Sequence, residues 1–146
     1  MKKIMMFLVV AAIALTPVCA QALSVGDWGG WATLGTQFND KFAGYLGYSN
    51  FGGVGGGSST NWMLAKVDCD LAKLGDVQTK AGVFYWWTSP NAVGNPGSRL
   101  GFTWGAAIMP VNNLSVGFDI VLAQSNSSPS STDILPGAVF TANLIF

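Results

Sequence analysis

Residues 134–146 constrain the fold more than any other part of the chain. Apolar side chains occupy every second position there: Ala138, Phe140, Ala142, Leu144 and Phe146. The residues between them are mixed, and they include Thr141 and Asn143. Successive side chains of a β-strand point to opposite faces of the sheet, so this spacing predicts a strand with one apolar and one mixed face.

The same period of two recurs along the chain, most clearly from Leu114 to Leu122 and from Leu100 to Ile108. No stretch shows a helical period, and glycine, with 19 residues, is too frequent for helices. Seven strands are predicted, at Trp28–Gln37, Lys41–Tyr48, Asn61–Ala72, Asp76–Trp87, Arg99–Met109, Asn113–Ala123 and Leu135–Phe146. The pattern indicates an all-β protein.

The C-terminal stretch resembles the C-terminal signal of bacterial outer-membrane β-barrel proteins, which is apolar at every second residue and finishes in Phe. The resemblance implies that Phe140, Leu144 and Phe146 are read by the barrel-assembly machinery, and that lipid of the outer membrane surrounds the folded chain. It does not imply an enzyme, because the known outer-membrane enzymes rely on His and this chain contains none.

The N-terminus is typical of a secretory signal peptide. Lys2 and Lys3 precede an uncharged apolar run, and small residues surround Ala20 and Ala22. The run is shorter than the ~20 residues that a membrane-spanning helix needs. We therefore expect residues 1–22 to be cleaved, with cleavage after Ala20 as the alternative, and residues 23–146 to form the barrel in the outer membrane.

Composition excludes several functions. Charged residues make up 10% of the chain, and no basic patch exists, which argues against nucleic-acid binding. The chain has no His, and all seven acidic residues are Asp, so the usual catalytic bases are missing. Asp68-x-Asp70 supplies far too few oxygens for a calcium site. Cys69 is the one cysteine beyond the signal, and it is expected to face lipid. We expect a non-enzymatic protein without cofactor, metal or disulfide.

The predicted connections alternate in length. Phe51–Thr60, Thr88–Ser98 and Gln124–Asp133 are long, whereas Phe38–Asp40, Lys73–Gly75 and Pro110–Asn112 have about three residues each. Outer-membrane barrels have long external loops and short periplasmic turns in this order. We therefore predict an antiparallel transmembrane β-barrel of about eight strands.

Strand number leaves alternatives open. The count is seven, whereas bacterial single-chain barrels have even numbers. Leu23–Trp28, followed by a Gly29-Gly30 turn, is a short candidate for the eighth strand. Otherwise the chain shares a barrel with further copies as a homo-oligomer, or it is a fragment of a longer porin.

A three-residue turn at Lys73–Gly75 predicts the register of the following hairpin, with Asp68 opposite Lys80. The same alternation predicts a polar network in the lumen, formed by Lys66, Asp68, Lys80, Arg99 and Asp119. Asp119 is expected opposite Thr103. Aromatic residues near strand ends predict a girdle at the membrane interface, formed by Trp62, Trp86, Trp87 and Phe146.

These patterns predict a porin-like or structural protein of the outer membrane. The alternative from another class is a secreted soluble β-sandwich, as in an adhesin or a fibre subunit. A third hypothesis is a fragment or subunit of a larger diffusion porin. A barrel of eight strands has an interior just wide enough to be filled by side chains, so diffusion through a single chain is not expected.

Overall fold

A computed structural model describes residues 22–51, 60–88, 97–127 and 130–146. Within them the chain forms eight strands: β1 (Ala22–Trp28), β2 (Trp31–Gln37), β3 (Phe42–Phe51), β4 (Thr60–Leu74), β5 (Val77–Thr88), β6 (Ser98–Val111), β7 (Leu114–Ser127) and β8 (Ser130–Ile145). Each strand pairs antiparallel with the next, and β8 pairs with β1, so the sheet closes into a barrel. The predicted all-β barrel of eight strands is confirmed. The predicted signal peptide lies outside the described residues except for Ala22.

No helix within the described ranges is long and apolar enough to cross a bilayer.

The eighth strand is the short N-terminal candidate. β1 turns into β2 at Gly29-Gly30, where both residues have positive φ (59° and 90°), as a type I′ hairpin turn requires. The predicted single strand Trp28–Gln37 is therefore wrong, because this turn divides it. Since β1 also pairs with β8, the barrel closes within one chain. A barrel shared between copies is not needed, and the β-sandwich alternative is wrong.

The connections define two ends of the barrel. The turn end carries residues 38–41, 75–76 and 112–113. The loop end carries residues 29–30 and the strand ends at Phe51, Thr60, Thr88, Ser98, Ser127 and Ser130. Of the predicted long loops, residues 52–59 and 89–96 lie outside the described residues. The long loop predicted at Gln124–Asp133 is wrong, because the β7–β8 ladder continues to Ser127 and Ser130. Polar side chains are compatible with a strand there, and Gln124 Nε2 donates to Asp133 Oδ2 at 3.2 Å.

The β4–β5 hairpin has a different register from the predicted one. Leu74 pairs with Val77 across a two-residue turn, and Gly75 has a φ of 62°. A bulge between Asp70 and Ala72 adds one residue to β4, so that Asp68 pairs with Gly82 instead of Lys80. From Asp70 towards the loop end the ladder is thus displaced by two residues, which leaves those side chains on their predicted faces. Beyond the bulge the displacement is three residues, and Ala72, which pairs with Thr79, lies on the opposite face.

The predicted Pro110–Asn112 turn is likewise shorter than expected. Val111 pairs with Leu114, so that only residues 112–113 form the turn. The β6–β7 ladder then shifts between Ile108 and Val111, so that Asp119 pairs with Gly105 and not with Thr103. In both hairpins a two-residue turn and an irregularity in the ladder together displace the register at the carboxylate by two residues.

Side chains alternate between a packed interior and an exposed exterior. The buried apolar residues of the interior are Trp28, Trp31, Leu64, Phe84 and Val121. They lie beside a group of buried charged residues that crosses the barrel.

Candidate functional site

Four charged side chains meet in the middle of the barrel. We call Lys66, Asp68, Lys80 and Asp119 the ion quartet. Lys66 Nζ contacts Asp68 Oδ1 on its own strand and lies 3.1 Å from Asp119 Oδ2 on β7. Lys80 Nζ on β5 lies 3.2 Å from Asp68 Oδ2 and 3.2 Å from Asp119 Oδ1. Each ammonium group therefore contacts both carboxylates, and the contacts span the lumen.

The ion quartet is buried but electrically balanced. Asp119 is 0% exposed and Lys80, the most exposed of the four, is 8% exposed. The two positive and two negative charges cancel. Asp119 Oδ2 also accepts a hydrogen bond of 2.7 Å from Trp28 Nε1. A buried charge is tolerated only where it is paired and hydrogen-bonded, which this arrangement provides.

Two glycines make room for the carboxylates. Asp68 pairs with Gly82, and Asp119 pairs with Gly105. A Cβ added at Gly82 would clash with Asp68 Oδ1, and one added at Gly105 would clash with Asp119 Oδ1. Without a side chain at either position, each carboxylate folds against the neighbouring strand and reaches both lysines.

Arg99, the fifth residue predicted in the lumen network, lies elsewhere. It faces the interior at the loop end, where its Cζ lies 4.8 Å from the centre of the Trp86 ring. It is the second residue of β6, whereas the ion quartet lies towards the middle of the barrel. The structure thus brings four of the five predicted residues together.

The interior of the loop end is filled by aromatic side chains. We call Trp31, Trp62 and Trp86 the aromatic cluster. Trp62 and Trp86 meet edge to face at 4.6 Å between ring centres, and Trp31 lies 6.2 Å from Trp86. The girdle predicted for Trp62 and Trp86 is therefore wrong. Both residues share the inward face of their strands with Lys66 and Lys80, so the alternation points them away from any surrounding lipid.

The predicted girdle residues Trp87 and Phe146 do face outward. Trp87 stacks on Tyr85 at 5.5 Å, and Tyr48 lies at the same end of the barrel, with its hydroxyl donating to Asn61 Oδ1 at 2.9 Å. Phe146 is 69% exposed at the turn end, and its amide donates to Leu23 O at 2.8 Å. The sequence analysis missed Tyr48 and Tyr85, although both lie on outward positions near strand ends.

The exterior between these aromatic rims is apolar on all eight strands. We call it the apolar belt, and its large exposed side chains include Val25, Leu34, Leu46, Val67, Val83, Phe102, Phe118 and Phe140. On β5 it extends over ten residue steps from Val77 to Trp87. At ~3.3 Å per residue and a strand tilt of ~40°, that distance corresponds to a height of ~25 Å.

Charged residues avoid the belt. The described charges outside the barrel lie in or beside turns, at Asp27, Asp40, Lys41, Lys73 and Asp76. Of the carboxylates among them, Asp27 lies on a strand and not in a turn. Its Oδ1 accepts a hydrogen bond of 3.1 Å from Gly30 N in the adjoining turn.

Little space remains inside. A cavity of about 10 Å³ beside the ion quartet is lined by Thr33, Tyr45 and Thr141, among other residues. A second cavity of about 80 Å³ lies at the turn end. Within the described residues no three His, Cys, Asp or Glu side chains converge in a way that would hold a metal ion. The site can neutralise and cross-link the interior.

Three residues of the site are not predicted from the sequence, namely Trp28, Gly82 and Gly105. Trp28 was assigned to the wrong strand, which hid its inward direction. Turn length alone does not identify the two glycines, because each comes to lie opposite an Asp through a further irregularity in its ladder, between Asp70 and Ala72 or between Ile108 and Val111.

No protein-family model, curated protein or solved structure matches the chain.

Proposed function

We propose that this chain is a non-enzymatic β-barrel of the bacterial outer membrane, with a filled interior and a structural or loop-mediated role at the cell surface. The apolar belt carries this proposal. Its height of ~25 Å matches the apolar band of transmembrane barrels, and such a continuous apolar exterior is unfavourable in water. Lipid of the outer membrane and the assembly machinery that inserts barrels are the partners that this proposal requires.

The orientation follows from the two ends. The β1 N-terminus, the C-terminal Phe146 and the three short turns share the turn end. In transmembrane barrels the short turns face the periplasm, so the loop end would face outward. An export signal at residues 1–22, as the N-terminal sequence predicts, would deliver the chain to the periplasm.

The filled interior favours a structural role over diffusion. The ion quartet and the aromatic cluster occupy the lumen at two successive levels, and the cavities found beside the quartet and at the turn end are small. An eight-stranded barrel has no room for an aqueous channel once its inward side chains are in place. Porin-like transport and a role as a subunit of a larger diffusion pore are therefore the weaker hypotheses.

Cell fractionation tests the proposal. The expressed full chain should be recovered with outer-membrane markers, and it should migrate differently on a detergent gel before and after boiling, as a folded barrel does. Recovery in the soluble periplasmic or secreted fraction would refute the membrane assignment.

A matched pair of variants tests the belt itself. Phe118→Arg places a charge among outward apolar residues of β7, and it should cost ~2–4 kcal/mol of folding stability in lipid vesicles if that position is near the bilayer midplane. Ser125→Arg, on the same strand near the loop end, should cost at most ~1 kcal/mol. Equal losses for the two variants in denaturant titrations would argue against a bilayer around the belt.

A further inference from the structure

The interior at the turn end contains a polar vestibule. The cavity of about 80 Å³ lies between β1 at Ser24 and β8 at Ile145. Tyr45 and Asn143 line both this cavity and the smaller one beside the ion quartet. The two spaces are therefore neighbours, and together they lead from the turn end to the middle of the barrel.

The vestibule is lined by uncharged hydrogen-bonding groups. They are the hydroxyl and amide side chains of Ser24, Thr36, Gln37, Tyr45, Ser115 and Asn143. No ionised side chain lines this larger cavity, and the ion quartet beyond it has no net charge. An ion would consequently enter a confined space without a counter-charge, which is unfavourable. A neutral polar molecule meets donors and acceptors there, beside the apolar side chains of Ala43 and Ile145.

Buried hydroxyl groups around these spaces lack a partner in the protein. Thr33 and Thr141 are 5% and 4% exposed and line the inner cavity, and neither Oγ1 has a hydrogen-bond partner. Thr36 Oγ1, on the wall of the vestibule, also lacks one. Buried hydroxyls are almost always hydrogen-bonded. The inner cavity has room for one water molecule at most, so Thr36 is the group whose bonding a molecule in the vestibule can complete.

The opposite side of the ion quartet is closed by apolar groups. Trp28, Leu64 and Phe84 lie next to the charged residues, with Trp28 and Phe84 ring centres 5.3 Å apart, and the aromatic cluster follows towards the loop end. Among the described residues, the two cavities thus lie on the turn-end side of the quartet. A solute that enters at the turn end reaches a closed inner wall.

We propose that the vestibule is a binding site for one small uncharged hydrogen-bonding molecule, a polyol or amide of about the size of glycerol. The volume of the vestibule corresponds to that of roughly five to eight water molecules, which sets the upper limit on size. A sugar of two rings would not enter. The site is separate from the proposed membrane role, since it depends only on the folded barrel.

Titration of the folded full chain in detergent micelles with glycerol, followed by amide NMR, tests this proposal. We expect saturable shifts confined to residues around Thr36, Ser115 and Asn143, and none with sucrose. Ala43→Leu fills the vestibule from β3 and should weaken glycerol binding at least tenfold. Ala142→Leu, an outward substitution on β8, should leave binding unchanged. Ser115→Leu fills the same space from β7 if Ala43→Leu fails to give a folded barrel.

Several outcomes would overturn the proposal. These are the absence of shifts, shifts that rise linearly without saturation, equal effects of sucrose, or equal affinity in the filled and control variants. Because all samples are folded barrels in micelles, none of these outcomes bears on whether the protein resides in a membrane.

Discussion

At the scale of single residues, the ion quartet shows how buried charges neutralise one another. Each lysine contacts two carboxylates, and Asp119 receives a further hydrogen bond from Trp28. Removing one member leaves its partners buried and incompletely paired. Removing a matched pair of opposite charges leaves a smaller imbalance, because one lysine and one carboxylate still face each other.

A double-mutant cycle at Asp68 and Lys80 measures this coupling. Asp68→Asn and Lys80→Met should each destabilise the barrel by ~3–5 kcal/mol, the typical cost of breaking a buried ion pair. The double variant should lose less than the sum, with a coupling of ~1–3 kcal/mol in denaturant titrations. Lys73→Met and Asp76→Asn, two exposed charges at the turn end, provide the control cycle and should be additive. Additivity at Asp68 and Lys80 would contradict the quartet.

The glycines opposite the carboxylates give a second prediction at this scale. Gly105→Ala places a methyl group where Asp119 Oδ1 and the Phe118 carbonyl lie, so it should destabilise the barrel by ~1–3 kcal/mol through overpacking. Gly137→Ala is the control, because a Cβ there meets no atom within 4 Å. Thermal or denaturant unfolding measures the stability of both variants. Equal stability of Gly105→Ala and Gly137→Ala would show that the Asp119 carboxylate has room to move.

At the scale of the strands, the sequence predicts faces better than partners. The period of two placed Lys66, Asp68, Lys80 and Asp119 on inward positions, because that alternation follows directly from backbone geometry. It did not predict the registers, because those depend on turn length and on the bulge in β4. A shift of two residues keeps the faces, so Asp68 and Lys80 meet although they are not paired directly.

Two predictions drawn from the strand pattern were wrong for physical reasons. Trp62 and Trp86 were placed at a lipid interface from their position near strand ends, whereas their alternation with Lys66 and Lys80 already directed them inward. The polar stretch of residues 124–133 was interpreted as a loop from its composition. Ladder pairing with a neighbouring strand keeps such residues extended, and composition alone does not show where that pairing ends.

The C-terminal strand leads to a prediction at the same scale. Phe146 lies on the outward face with Phe140 and Leu144, and its backbone is hydrogen-bonded to Leu23 at the point of barrel closure. Phe146→Asp should reduce the yield of assembled protein in the outer membrane several-fold. Asn143→Asp, an inward change of nearly equal shape, should reduce it much less. Equal yields on a heat-modifiability gel would show that Phe146 is not part of an assembly signal.

For the whole molecule, the sequence predicts that the sheet closes into a barrel, but it predicts only part of how the lumen is filled. Chain length and alternating connections led to about eight strands, and the short stretch before Gly29-Gly30 was the right candidate for the last one. The aromatic cluster was not predicted, because it requires the inward faces of β2, β4 and β5 to converge at one end. Such convergence depends on strand stagger, which no local pattern encodes.

The filled lumen yields the last prediction, which concerns permeability. Liposomes that contain the refolded barrel should not swell in isotonic disaccharide, because the ion quartet and the aromatic cluster block the interior at two levels. A control preparation without the barrel sets the background swelling rate, and the wild type should match it.

Replacing Trp62 and Trp86 with Gly removes only the outer obstruction, so this variant should also remain impermeable while the quartet persists. Combining it with Lys66→Ala should raise flux of small solutes only if the barrel stays folded, which the gel assay verifies. Rapid swelling with the wild-type protein would show that the interior opens in a membrane, and it would favour the diffusion-porin hypothesis over a structural role.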